Sequence, residues 1–159
     1  MDIIGIWGDA DEKDSNAVQT GNNIAASVGT KSECNMLKCI SFNARSIKNK
    51  LPDLHYILYS KNYAADLICI TETWLNNSVT NAMLDPQNLF NIFRIDRNTS
   101  TSGGGVCIFA KRHINAVDVE ISPSYHMIEC VCIDLFCNRG TKIRLINLYH
   151  PGGKLSSDN

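Results

Sequence analysis

The sequence lacks the features of a membrane-spanning or secreted protein. No stretch approaches the roughly 18 consecutive apolar residues that a membrane span needs. The N-terminus carries Asp2 and has no basic cluster ahead of an apolar stretch, so it does not resemble a secretory signal. We therefore expect an intracellular protein with no membrane partner.

A strong charge of one sign is also missing, because the formal net charge is only -1. Residues 1–35 nevertheless hold six acidic and two basic side chains, whereas the remainder holds ten acidic and thirteen basic ones. This mild basic excess suits a polyanionic partner, but a solvated mixed surface explains it equally well. Residues 1–35 show no sustained period and are predicted to form a flexible or poorly packed extension. Residues 36–159 are predicted to form the folded part.

Several common motifs are absent or misplaced. The seven cysteines cannot all pair, and without a secretory signal we expect them to be reduced. There is no Gly-x-Ser-x-Gly elbow of a serine hydrolase. The glycines at 103–105 lead into a strand rather than a helix, so they indicate close backbone packing at a hairpin and not a phosphate loop.

The pattern from residue 37 to residue 71 predicts a strand, a helix and a second strand. Residues 37–42 have strand character, Pro52 suits a first helical turn, and residues 66–71 form the short apolar run of a strand covered on both faces. Such a unit implies a parallel, right-handed crossover. Both strands should then end at the same edge of the sheet, where α/β proteins bind ligands.

From residue 91 onward the pattern changes to short strands with turn signals. We predict strands at residues 91–96, 106–110, 117–121, 127–136 and 142–149, forming an antiparallel meander that extends the sheet. The expected fold class is α/β with a mixed β-sheet.

Three polar side chains follow predicted strand ends. Glu72 comes directly after a buried strand, and a carboxylate there could hold Mg²⁺, although a surface acid or a cap is the alternative. Asn43 could present its amide to a phosphate or act only in a turn. Tyr149 could donate a hydrogen bond to a phosphate oxygen or be a half-buried strand aromatic.

Four blocks, in this order and spacing, resemble the endonuclease/exonuclease/phosphatase superfamily. The resemblance is closest to the apurinic-endonuclease-like domain of LINE-type non-LTR retrotransposons, and it covers residues 36–159. The blocks are Phe42–Ser46, Asp66–Leu75, Phe93–Arg97 with Gly103–Val106, and Asn147–Pro151.

The resemblance implies a four-layered α/β sandwich, of which this chain is the N-terminal part, and Mg²⁺-dependent hydrolysis of a DNA phosphodiester. It assigns catalytic roles to Asn43, Glu72 and Tyr149, with Glu72 and Asn43 at the metal. In such elements the nick supplies the 3' hydroxyl from which a reverse transcriptase of the same polyprotein primes synthesis, which implies a nuclear site of action. The DNA backbone would be contacted by basic side chains, namely Arg45, Lys48, Lys50 and Arg97.

The sequence departs from the family in its later motifs. Neither Gly-Asp-x-Asn nor Ser-Asp-His occurs in these 159 residues. We therefore expect a truncated domain that lacks its C-terminal half, leaves apolar sheet surface uncovered and is nearly inert, because each missing group contributes several powers of ten in rate. The alternatives are a DNA-binding remnant without catalysis, or a phosphatase or RNA-directed member of the superfamily.

Overall fold

A computed structural model describes residues 2–8, 36–97, 103–121, 128–137 and 140–150, with residues 2–8 described for their backbone only. Eight strands and two helices are found in these ranges. In chain order they are β1 (Asp2–Gly8), β2 (Cys39–Asn43), α1 (Leu51–Tyr59), β3 (Leu67–Thr71), α2 (Asn81–Leu84), β4 (Phe90–Ile95), β5 (Val106–Lys111), β6 (Asn115–Asp118), β7 (Glu129–Phe136) and β8 (Lys142–Tyr149).

The predicted strand-helix-strand unit is confirmed. α1 begins at Leu51 and has Pro52 in its first turn. Proline is tolerated there because the backbone N–H groups of the first turn make no intrahelical hydrogen bonds, so the N–H that proline lacks is not needed. Its buried side chains are Leu54 and Leu58, one turn apart on a single face. β2 and β3 are parallel, with Asn43 paired to Thr71 at their shared end.

The strands form two four-stranded sheets. The central sheet has the order β2-β3-β5-β4 and is mixed, because β2 is parallel to β3 while the β3–β5 and β4–β5 pairs are antiparallel. The second sheet has the order β1-β8-β7-β6 and is antiparallel throughout. The predicted α/β class with a mixed sheet is therefore confirmed.

The prediction of one sheet extended by a meander is wrong in its second half. β4 and β5 extend the central sheet as expected, but β6, β7 and β8 belong to the second sheet. The strand predicted at residues 117–121 ends earlier, at Asp118. Strand patterns report alternation along one chain, and they carry no information on which sheet a strand joins.

The central sheet is covered on both faces. Its β3 residues are all buried, and they alternate between the two sides. Ile68 and Ile70 pack with the helical side chains Leu54, Leu58 and Leu84. On the opposite face, a second core cluster joins the two sheets through Leu67, Cys69, Val106, Ile108, Ala110, Ile114, Val131, Ile133, Leu135 and Leu145.

The described part of the chain thus has three layers, consisting of the helices, the central sheet and the second sheet. The two sheets face each other within this chain, so the expectation that the facing sheet would be missing is wrong. A fourth layer is not among the described residues. No helix in the described ranges is long and apolar enough to cross a membrane.

The segment predicted as an N-terminal extension contributes one strand. The backbone of β1 pairs with the whole length of β8, from Asp2 opposite Tyr149 to Gly8 opposite Ile143. Residues 9–35 lie outside the described residues. A domain boundary at residue 36 stays a prediction.

Candidate active site at the ends of β2, β3 and β8

Asn43, Glu72 and Tyr149 lie together in the structure. Parallel pairing of β2 and β3 brings Asn43 beside the residue that precedes Glu72. Packing of the second sheet on the central sheet then places the end of β8 over the same edge, where the Tyr149 hydroxyl donates to Glu72 Oε1 at 2.9 Å. Three side chains that are far apart in the sequence therefore converge at one rim. Their catalytic roles stay predictions.

Glu72 is a half-buried carboxylate surrounded by donors. The Asn43 side-chain amide makes the largest contribution to lowering the pKa of Glu72, opposed by partial burial. The Tyr149 hydroxyl, the positive charge of Arg45 and the Trp74 side chain lower it further. Glu72 is consequently ionised at neutral pH and available as an anionic oxygen ligand.

Tyr149 is held in its protonated, donating form. Burial raises the pKa of Tyr149, and the hydrogen bond to the anionic Glu72 raises it further, because ionising the phenol would place a second negative charge beside the first. The Arg97 guanidinium lies 6.0 Å from the centroid of the Tyr149 ring and has a weak opposing effect. At neutral pH Tyr149 is a hydrogen-bond donor and not a base.

Backbone hydrogen bonds clamp the segment from Glu72 to Trp74 on both sides. On one side, the Ser46 N–H donates to the Glu72 carbonyl at 2.9 Å and the Ile47 N–H to the Thr73 carbonyl at 2.8 Å. On the other, Thr73 and Trp74 donate to the carbonyls of Gly105 and Gly104 at 3.1 and 2.8 Å. This rim is thus an extension of the central sheet beyond the regular ends of β2, β3 and β5.

Strained backbone is concentrated at this rim. Four non-glycine residues have positive φ angles there: Arg45 (45°), Ser46 (84°), Glu72 (50°) and Trp74 (53°). Each such conformation costs on the order of 1 kcal/mol or more, and it persists only where the surroundings impose it. Strain of this kind clusters at functional sites, which supports a functional reading of this rim.

A comparison with protein families matches residues 40–152 to the endonuclease/exonuclease/phosphatase family. The chain belongs to the endonuclease/exonuclease/phosphatase family. The match spans β2 through the end of β8 and so contains the whole site just described. The comparison with curated proteins gives no match.

Membership in the endonuclease/exonuclease/phosphatase family indicates a nuclease or a phosphatase, and the family is typically metal-dependent. Within the described ranges, no group of three or more His, Cys, Asp and Glu side chains is placed to hold a metal ion. Magnesium does not require such a group, because it is commonly bound by one or two carboxylates together with waters and phosphate oxygens. The ionised Glu72 fits this requirement. The Asn43 amide oxygen accepts the Arg45 backbone N–H at 3.1 Å, and the metal contact predicted for Asn43 stays a prediction.

The basic residues predicted to contact DNA have different surroundings. Arg45 and Lys48 are exposed, and Arg45 is close enough to act on the charge of Glu72. The Lys50 ammonium donates to the carbonyls of Ala44 and Arg45 at 2.7 and 3.3 Å, so it stiffens the loop after β2. Three of the four predicted cations therefore lie on or beside this loop.

The Arg97 side chain is enclosed, with only 16% of its surface exposed, and it forms an ion pair with Glu129. Glu129 also accepts a hydrogen bond from the Gly105 N–H at 2.5 Å. Glu129 thus connects Gly105, whose carbonyl binds the Thr73 N–H, to Arg97, which lies beside the Tyr149 ring. A DNA contact by Arg97 stays a prediction, and the observed contacts are those of a residue that positions the site.

Sequence reasoning missed two of the residues that build this site. Asn147 is fully buried, and its side chain donates to the carbonyls of Ile70 and Cys107 at 3.1 and 2.9 Å, which links β8 to β3 and β5. Glu129 was also missed. A polar residue within the apolar run of β8 was the available signal for Asn147, whereas no local pattern pointed to Glu129.

Proposed function

We propose that this chain is part of a Mg²⁺-dependent DNA endonuclease that hydrolyses phosphodiester bonds and serves a LINE-type non-LTR retrotransposon. The single observation that carries the proposal is the meeting of Glu72, Asn43 and Tyr149 across two sheets, with a hydrogen bond of 2.9 Å between the phenol and the carboxylate. An anionic ligand flanked by neutral donors is suited to a cation and a phosphate ester at the same place.

Each side chain has a role that follows from its surroundings. Glu72, kept ionised by its donors, would hold the cation. The Asn43 amide oxygen accepts the Arg45 N–H at 3.1 Å, and its second lone pair would be a further oxygen ligand. Bound Mg²⁺ would supply charge stabilisation at the phosphoryl and leaving oxygens. Tyr149, kept protonated, would donate a hydrogen bond to a phosphate oxygen and orient the ester.

The retrotransposon branch is supported by the four sequence blocks of the resemblance and by the exposed cations beside the site. In this proposal the target is chromosomal DNA in the nucleus, and the reverse transcriptase partner uses the nick as a primer. Arg45, Lys48 and Lys50 would contact the DNA backbone next to the scissile phosphate.

We expect little catalysis from these 159 residues alone. They contain neither Gly-Asp-x-Asn nor Ser-Asp-His, the motifs that carry the water-activating residue and a phosphate-contacting histidine in the family. Losing a general base and an electrostatic contact removes about 10² to 10⁴ in rate for each group. Binding of metal and DNA is therefore a better test than turnover.

The metal assignment is tested with Mn²⁺, which accepts the same oxygen ligands as Mg²⁺ and can be counted by electron paramagnetic resonance. We expect Glu72→Gln to weaken Mn²⁺ binding by about tenfold or more, because it removes the anionic ligand. Glu120→Gln, at an exposed carboxylate outside the site, is the matched control and should bind as the wild type does. Equal Mn²⁺ affinity in wild type and Glu72→Gln would refute the metal assignment.

The DNA assignment is tested by the salt dependence of binding. If Arg45, Lys48 and Lys50 each contact one phosphate, duplex affinity should fall about 40-fold between 50 and 200 mM salt. Affinity that does not change with salt would refute the DNA assignment.

The expectation of low activity is tested with supercoiled plasmid, which should stay largely intact in Mg²⁺. Efficient nicking that Glu72→Gln abolishes would overturn this expectation. A genomic locus without polymerase-coding sequence would contradict the retrotransposon branch.

A further inference from the structure

Trp74 is a large aromatic side chain at the rim of the proposed site that the mechanism above does not use. It lies two residues after Glu72, and 41% of it is exposed to solvent. Single exposed apolar residues are common on protein surfaces and need no explanation by themselves. Trp74 differs from them in how firmly it is held.

Three constraints hold Trp74 at the rim. Its backbone has a φ of 53°, in the left-handed region that a bulky residue rarely adopts. Its N–H donates to the Gly104 carbonyl at 2.8 Å. Its neighbours Thr73 and Leu75 are both buried, so a rotation of this backbone segment that buried the indole would expose their side chains. The surrounding structure therefore keeps this aromatic group outside.

The indole is also oriented toward the carboxylate. Its side-chain hydrogen bond is one of the interactions that lower the pKa of Glu72, and the indole N–H is the donor, since tryptophan has no acceptor. A Cβ placed on Gly103 would lie 3.5 Å from Trp74 Nε1, so the nitrogen edge of the ring lies on the side of the Gly103 backbone. The nitrogen edge therefore lies on the side of Glu72 and Gly103, and 41% of Trp74 is exposed to solvent.

We propose that Trp74 forms a nucleobase-binding site, in which the base next to the phosphodiester held at Glu72 stacks on the indole. The proposal rests on the proposed function and narrows its substrate class. Aromatic stacking recognises any base through its π-face, which a phosphorylated small molecule without a base lacks. A base within an intact duplex is already stacked on its neighbours, so the site favours single-stranded or locally unpaired DNA over continuous duplex.

Two labelled probes of equal length separate stacking from phosphate binding. One is a single-stranded oligonucleotide, and the other has the same backbone but abasic sites, so that the phosphates are kept and the bases are lost. Binding is measured by fluorescence anisotropy with the full chain and Ca²⁺ present. The variants are Trp74→Ala, Trp74→Phe and, as a matched control, Tyr56→Ala, which removes an exposed aromatic from α1 on the helical layer. Circular dichroism confirms that each variant is folded.

We expect Trp74→Ala to weaken binding of the intact oligonucleotide about 5- to 100-fold and to leave the abasic probe almost unaffected. Trp74→Phe should recover most of the affinity, because it keeps an aromatic face but not the indole N–H. Tyr56→Ala should bind both probes as the wild type does. The wild type should also bind the intact probe more tightly than a duplex of the same sequence.

Equal losses for both probes would overturn the proposal, since they would show that Trp74 acts only by positioning Glu72. Unchanged binding in Trp74→Ala, or a loss that Trp74→Phe does not restore, would overturn it as well. In these cases salt-dependent binding of the abasic probe would leave the proposed function intact. Failure of the wild type to bind either single-stranded probe would refute the inference, and failure to bind the duplex as well would refute DNA as the substrate.

Discussion

Gly105 offers the sharpest test of how the rim is built, through the substitution Gly105→Ala. The residue has a φ of 84°, and its carbonyl accepts the Thr73 N–H that holds the segment carrying Glu72. A Cβ at this position would lie only 2.4 Å from Thr73 Oγ1. Thr73 is fully buried, and its β-branched side chain has few rotamers in which the hydroxyl could turn away from the new carbon.

Two costs add in this variant. Placing a non-glycine residue in the left-handed region costs about 1 kcal/mol, and forcing an extra carbon into a packed interior costs a further 1 to 3 kcal/mol or so. We expect Gly105→Ala to lower the free energy of unfolding by about 3 kcal/mol. With a urea m-value of about 2 kcal/mol/M, the unfolding midpoint falls by about 1.5 M.

Gly140→Ala is a matched control for the backbone term. Gly140 has a similar φ of 80°, but nothing lies within 4 Å of a Cβ built on it. We therefore expect a loss of only about 1 kcal/mol, or about 0.5 M in the midpoint. Both variants are measured by equilibrium urea unfolding, followed by circular dichroism.

A double-mutant cycle isolates the steric term. Thr73→Ala removes the hydroxyl that the new Cβ would meet, so Gly105→Ala should cost less in that background than in the wild type. If Gly105→Ala costs no more than Gly140→Ala, or if its cost does not change when Thr73 is replaced, the reasoning about close packing at the rim is wrong.

Two further predictions concern the same site. Asn147→Leu should lower the free energy of unfolding by about 2 to 3 kcal/mol, because it removes two buried hydrogen bonds between the sheets. Chemical denaturation measures this change, and an unchanged unfolding midpoint would show that these hydrogen bonds do not stabilise the packing of the two sheets. Asn43→Ala should raise the pKa of Glu72 more than Tyr149→Phe does, as followed by the carboxyl carbon shift in NMR, and a larger effect of Tyr149→Phe would contradict the assignment of the main donor. Because the folded-state pKa of Glu72 is lowered, the stability it contributes is present at neutral pH and is lost as the pH falls through that lowered value.

The elements that were predicted best are those whose type is indicated by the hydrophobic pattern of their own residues. β3 was predicted from a continuous apolar run, and all five of its residues are buried. α1 was predicted between the two strands with Pro52 in its first turn, and the helix begins at Leu51 with Pro52 in that turn. The parallel pairing of β2 and β3 agrees with the connection between them, since parallel neighbours need a crossover and a helix of this length supplies one.

The division into two sheets could not be predicted in the same way. β7 has five consecutive buried residues and β8 alternates over only part of its length, and neither pattern differs between a strand that extends the central sheet and one that faces it. The pairing of β1 with β8 joins segments from opposite ends of the chain, and no periodicity records such a partnership. Positions after strand ends singled out Asn43, Glu72 and Tyr149, whereas the catalytic roles predicted for them depended on the resemblance of several blocks at once.

The sequence by itself determined which side chains end the strands, that Glu72 follows a buried strand, and that Asn43 lies at the same edge of the sheet. Those consequences come from local hydrophobic pattern and from the handedness of a single crossover. Only the tertiary structure decided that the Tyr149 hydroxyl donates a hydrogen bond to Glu72 and that Arg97 forms an ion pair with Glu129. Such contacts depend on how two sheets pack face to face, which is a property of complementary surfaces and not of any segment alone.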